Sequence, residues 1–279
     1  ASIFYGLGHY DRSLEYYVEL FKQGRSDYPF TSVEQYCIIR AKKTAADYQA
    51  RKMEASAAMD AYDGVIRDVS VLLNLGETAE RYCICGATHK RRTLVKNPPL
   101  KKLAIFKEAL SCFRNAEKFN ANQLQAYIAF NCVEIEFIMY LLSRQAGKAK
   151  GKKAGTVPDY TRKKLKQAEA ALKKMDLLIN RESAENMEFW HLSGRANIEL
   201  CLFIIRYYFD QNDRDFSRVQ QSYSTIWNYG GAPQKRKAES EHLVFLQEAM
   251  RTAAAADVKN KEYAEAVCEY LEKLRLMLQ

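Results

Sequence analysis

Phe106, Ala109, Phe113 and Ala116 fall at spacings of three, four and three. On a helix that spacing puts all four on one stripe. Ala109 and Ala116 are small enough to let a neighbouring helix come close, and Phe113 fills the space between them. Upstream, Tyr82, Cys85-Gly86 and His89 repeat the same helical spacing, and Gly86 places no side chain between two backbones. Asn97-Pro98-Pro99 breaks the chain between the two stretches. Residues 76–116 therefore predict two antiparallel helices folded on each other.

The second stripe recurs. Tyr10-Ser13-Tyr17-Leu20, Leu165-Ala168-Leu172-Met175, Phe216-Val219-Tyr223-Ile226 and Tyr263-Ala266-Tyr270-Lys273 share its spacing, and Met59-Tyr62-Ile66-Val69 reads as a degraded copy. From Tyr10 the steps are 49, 47, 59, 51 and 47 residues. Trp190-x2-Ser193-Gly194 repeats the first-helix pattern, with Asn197 where an aromatic residue belongs. The patterns resemble the tetratricopeptide repeat, whose usual period is about 34 residues. The resemblance implies an all-α chain: a superhelical array of antiparallel helix pairs, an enlarged α-solenoid running through residues 1–279.

Composition agrees with long helices and few turns, since the chain has 5 Pro and 12 Gly in 279 residues. No alternating strand-like segment bounded by turn residues stands out. No run approaches the ~20 apolar residues of a membrane span, so no membrane partner and a cytoplasmic location are expected. The opening ASIFYGLG has no starting Met, and the helix from Asp11 lacks a preceding partner, which suggests a piece of a longer protein. The 7 cysteines sit in apolar helical segments, a pattern of small buried thiols in a reducing compartment.

Helix ends are expected at particular residues. Asp11 should cap a helix over 9–23, and Ser32 one from Val33 to about Lys52. Gly76 should close a helix that begins at Ala55.

The net charge of +9 is concentrated. Between Arg144 and Lys166 stand nine basic residues and a single acid, Asp159. Residues 145–158, mostly Gly, Lys and Ala with little to bury, read as a flexible basic loop inserted into one repeat. Lys148, Lys150, Lys152, Lys153, Arg162, Lys163 and Lys164 form the basic segment. A nucleic-acid binder using 144–166 is thus an alternative, although Tyr160 offers the only ring on which a base could stack.

Glu80-Arg81, Cys85-Gly86 and His89-Lys90-Arg91 together resemble one helix of the TRAF-binding domain of apoptosis-signal-regulating kinases and its bacterial relatives. Cys85 and His89 depart from the Leu and Tyr of that pattern. The resemblance covers about residues 30–255 and implies a regulatory, protein-binding repeat region, often joined to a catalytic domain elsewhere. This chain carries no kinase or nucleotide-loop motif.

Cys83-x-Cys85-x3-His89 is the nearest approach to a metal cluster. Cys85 and His89, at i and i+4, share a face and make a usable zinc pair. Cys83 points about 160° away, at about 100° per residue, and the sequence shows no further ligand nearby. Neither a metal, a cofactor nor a catalytic residue is expected. The partner surface is read instead from the helix faces: Glu80, Lys90 and Arg91 on one repeat, and Glu188, His191, Arg195 and Glu199 on another. Mixed charge there suits a protein or peptide partner. The expected function is a non-enzymatic protein-interaction scaffold or regulatory module.

Overall fold

A computed structural model of the chain describes residues 1–24, 28–119, 124–148, 166, 169–170, 173, 189–209, 215–229, 233–254 and 258–277. Among the described residues the protein is helical without strands, as the stripes predict. Eleven helices are resolved there: α1 (Ser2–Gly6), α2 (Tyr10–Lys22), α3 (Phe30–Gln49), α4 (Ala55–Leu75), α5 (Ala79–Arg92), α6 (Pro99–Ala116), α7 (Gln125–Lys148), α8 (Phe189–Phe209), α9 (Ser217–Tyr229), α10 (Pro233–Ala254) and α11 (Val258–Met277). The fold is a tetratricopeptide-like helical repeat. The chain divides into two compact units, Ala1–Ala121 with Ala232–Lys237, and Asn122–Gly231 with Ala238–Gln279.

In the first unit α3, α4, α5 and α6 pack in succession, each antiparallel to the one before. Arg40 of α3 pairs with Asp68 of α4. Asp63 of α4 pairs with Arg92 at the far end of α5. Along α5 and α6, Tyr82 meets Phe119, Gly86 meets Phe113, and His89 meets Glu108. Phe106, Ala109, Phe113 and Ala116 are all fully buried, so the stripe read from sequence is the α6 core face. A methyl group on Gly86 would come within 2.8 Å of the Phe113 ring. That contact is why the position needs glycine.

Two stripes are placed one residue off. On α4 the buried row is Ala58-Tyr62-Val65-Val69-Leu72, while Met59 and Ile66 are half-buried beside it. On α11 the row is Ala264-Val267-Leu271-Leu274, and Lys273 is exposed. Tyr10-Ser13-Tyr17 and Phe216-Val219-Tyr223-Ile226 are buried as expected. Leu165-Ala168-Leu172-Met175 and most of the basic loop lie outside the described residues.

The caps also differ. α3 begins at Phe30 because Pro29 precedes it with φ −58°, already suited to helix entry, and Ser32 N–H donates to Pro29 O. Asp11 lies in the first turn of α2, where its charge favours the helix dipole without capping it. Gly76 does follow α4, but its φ of 169° is extended and closes no left-handed cap. The open carbonyls are instead satisfied by Arg81. Its Nη1 donates to Leu72 O at 2.8 Å and to Gly76 O, and its Nε donates to Glu34 Oε1 at 2.7 Å. A side chain at Gly76 would crowd Arg81 Nη1 at 3.3 Å, so glycine here makes room for the guanidinium.

In the second unit α7 lies against α8, and α8 against α9. Contrary to the sequence expectation, Gln125–Ser143 is long and apolar enough by composition to cross a membrane. It is 72% buried inside the protein, where a helix apolar all round belongs to a core. Glu134 on this helix is itself buried, with Oε2 3.2 Å from His242 Nε2. On α8, Asn197 stands in the aromatic position of the repeat because it serves a buried polar network. Its Nδ2 donates to Glu239 Oε2 at 2.9 Å, its Oδ1 accepts from Tyr223 OH at 2.8 Å, and Ser193 donates to Glu239.

Two predictions follow from the first unit. Gly86→Ala gains about 1 kcal/mol of helix propensity and loses about 1–3 kcal/mol to overpacking against Phe113. We expect a net loss in urea unfolding that shrinks when Phe113→Leu is present, and an unchanged midpoint would show the contact is slack. Arg81→Met strands the Glu34 carboxylate and should cost about 3–5 kcal/mol. Adding Glu34→Leu should recover most of it, and a double variant no more stable than the single one would disprove the pairing.

Candidate functional site

The antiparallel register of α5 and α6 brings two i,i+4 pairs face to face. Thr78 Oγ1 starts α5 by accepting from Arg81 N at 3.2 Å. One turn on, Cys85 and His89 share the face turned to α6. From α6, Cys112 opposes Cys85 and Glu108 opposes His89. Cys112 Sγ–H donates to Cys85 Sγ at 3.1 Å. The two sulfurs and an imidazole nitrogen all lie within 4.8 Å of one another. His89 Nδ1 stands 3.1 Å from Glu108 Oε2, close but not aligned as a hydrogen bond. Arg92 continues the row, with Nη1 3.8 Å from Glu108 Oε2 and Nη2 2.7 Å from Asp63 Oδ1. Cys85 and His89 are buried, Cys112 is half-buried, and the Glu108 side chain is 55% exposed at the edge.

The four thiols of this unit sit in two electrostatic settings. Burial pushes Cys37 and Cys83 up to about 12, the charges of Asp68 and Glu80 adding to the effect. Such thiols stay protonated and inert. Cys85 goes the other way: the hydrogen bond from Cys112 pulls its pKa down, burial opposes, and His89 helps. Cys112 is pushed up, first by giving its hydrogen to Cys85 and then by burial. The hydrogen bond thus places the shared hydrogen on Cys112 and makes Cys85, beside the imidazole, the more acidic of the two thiols.

Cys112 and Glu108 are the residues that sequence reasoning missed, and the structure brings in Cys112 a second thiol to the Cys85–His89 pair. Cys83 belongs elsewhere, as its helix angle indicates.

The expected partner-binding residues fall in different units. On α5, Glu80 is exposed and Arg91 half-buried, its Nη1 3.3 Å from Ala87 O. Glu80, Ala87 and Arg91 lie on one stripe by helical spacing. Lys90 is buried. On α8, His191 and Arg195 are half-buried. Glu199 is buried, accepts from Ser222 Oγ, and has Oε1 3.5 Å from Arg195 Nη2. Glu188 lies outside the described residues. Lys148 ends α7, while Lys150, Lys152, Lys153, Arg162, Lys163 and Lys164 lie outside them.

Residues 17–142 match the family described as Tetratricopeptide Repeats-Sensor. No curated protein and no solved structure matches the chain. The class so defined is a tetratricopeptide-like helical repeat, and the match to a family of that kind suggests a protein-interaction or sensor module.

Because Cys85 is held below the ordinary thiol pKa of 9.0, its thiolate stabilises the fold above that value. The contribution fades as pH falls through the lower folded value. In the reduced protein the ultraviolet thiolate band of one cysteine should persist well below pH 9, and Cys85→Ser should remove it. Titration of every thiol at or above the ordinary value would refute the shared-proton arrangement.

Proposed function

We propose that the protein is a non-enzymatic interaction or regulatory module that binds a protein or peptide partner on its helical-repeat surface. The observation that carries this reading is the match of residues 17–142 to a tetratricopeptide sensor family, on a stretch in which α3, α4, α5 and α6 pack in succession. The stripe of Glu80, Ala87 and Arg91 offers one acid and one base, a face suited to a peptide carrying both signs. The likeness of residues 80–91 to the TRAF-binding domain of apoptosis-signal-regulating kinases supports a regulatory role, with any catalytic domain outside this segment. A cytoplasmic location is part of the proposal, supported by seven cysteines that are free thiols.

The test is photo-crosslinking from position 87 in cells of the source organism, followed by binding of the recovered partner to purified variants. We expect a protein partner whose affinity falls at least about tenfold on Arg91→Glu, by analogy with interface hot spots worth above about 1.4 kcal/mol. Melting should be unchanged. Binding indifferent to Glu80→Arg, Arg91→Glu and Arg195→Glu would remove the proposal. Recovery of nucleic acid instead, with affinity falling steeply as salt rises, would favour the basic segment.

A further inference from the structure

We propose that Cys85, His89 and Cys112 form a metal site between α5 and α6 that takes a thiophilic divalent cation, zinc foremost. The proposal goes beyond partner binding and stands independently of it. Three ligand groups of the right chemistry converge from two helices, with their donor atoms within 4.8 Å. Two soft sulfurs and one borderline imidazole are the kind of donor set that selects zinc over magnesium or calcium. None of the three is a lone surface residue. Cys85 and His89 are buried, and Cys112 and Glu108 lead to the solvent edge, which gives an ion an entry path.

The sulfur pair fits with little movement, and the imidazole nitrogen, within 4.8 Å of both sulfurs, closes to the roughly 3.6 Å that a zinc tetrahedron needs. Zinc–sulfur bonds of about 2.3 Å in a tetrahedron set two sulfurs about 3.8 Å apart. Cys85 and Cys112 stand at 3.1 Å, so they need to part by less than about 1 Å. A disulfide would use the two sulfurs and leave the imidazole and the carboxylate with no part to play. A buried nucleophile is a poorer reading too, because a substrate carbonyl cannot reach a thiol that is 6% exposed, whereas a bare cation can. Glu108 is placed for the outer shell: its carboxylate stands 3.1 Å from His89 Nδ1, and a turn of the carboxylate into line would make the hydrogen bond that orients a ligating histidine. The fourth position falls to water at the half-exposed edge beside Cys112. Loading binds both sulfurs as thiolates, and the thiol protons displaced go to solvent. Bound metal would clamp α5 to α6 where Gly86 and Phe113 already bring them together.

The experiment uses the full chain, reduced and stripped of metal, titrated with Co²⁺ and then Zn²⁺. We expect one equivalent of Co²⁺ to give tetrahedral visible bands with thiolate charge transfer, displaced by Zn²⁺. Cys112→Ser and Cys85→Ser should abolish the bands, Cys83→Ser should keep them, and Glu108→Gln should weaken binding by about 10–100-fold. Circular dichroism without metal checks that each variant folds. Should Cys112→Ser or Cys85→Ser fail that check, X-ray absorption on the zinc-loaded parent decides, by showing two sulfurs and one imidazole at the metal or another set. The proposal is overturned by Cys112→Ser binding zinc as tightly as the parent, by loss of binding in Cys83→Ser, or by a reduced parent that takes up no metal and merely oxidises to a Cys85–Cys112 disulfide.

Discussion

Arg81 puts a full positive charge where three helices of the first unit meet, nearly out of reach of water. It is tolerable there because the guanidinium is ion-paired, hydrogen-bonded and covered by a ring. Glu34 of α3 supplies the counter-charge at 2.7 Å from Nε, Leu72 O in the last turn of α4 and Gly76 O just past it accept from Nη1, and the Phe30 ring lies 5.0 Å from its central carbon. Burying an ion pair is no large source of stability in itself. What this pair supplies is geometry. A helix C-terminus leaves carbonyls without partners, and here the first turn of the next helix provides them. The turn from α4 to α5 is therefore fixed by one side chain, and Gly76 is small and extended because the guanidinium occupies the space beside it.

With the start of α5 set, the rest of that helix has one register against α6. Gly86 and Phe113 touch, and in an antiparallel pair residues further along one helix meet residues further back along the other. Cys85 meets Cys112 beside that contact, and His89, one turn further along α5, meets Glu108, one turn back along α6 from Cys112. The cluster is thus a consequence of the repeat's packing rule. The same small-residue approach that holds the helix pair together carries the donor atoms to within reach of a single ion.

The second unit solves a similar packing problem with polar groups. Asn197, Ser193, Tyr223 and Glu239 are all buried and hydrogen-bonded to one another, in the place where the repeat pattern calls for an aromatic side chain. A satisfied network of this kind specifies one arrangement, since any slip leaves buried donors and acceptors unpaired. Tyr223 belongs both to the apolar stripe of α9 and to this network, so a reading by hydrophobicity alone finds its burial and not its bond.

That contrast explains how far the sequence could be read. Helical class, repeat character and most helix positions follow from spacing, because a stripe is a local property of the chain. The stripes of α4 and α11 slipped by one residue for the same reason. Tyr62 and Tyr263 are buried at either register, and only the neighbouring helix decides whether Val65 or Ile66, Leu271 or Tyr270, faces the core. The caps failed where a distant side chain did the work of a local one, as Arg81 does for α4. The metal-ligand set was half visible: Cys85 and His89 lie at i,i+4 on one helix, but Cys112 is 27 residues away from Cys85. The signal was nevertheless present. Glu108 and Cys112 are also spaced i,i+4, on the edge of the Phe106–Ala116 stripe, and running the second pair antiparallel to the first across Gly86 and Phe113 places sulfur opposite sulfur and carboxylate opposite imidazole.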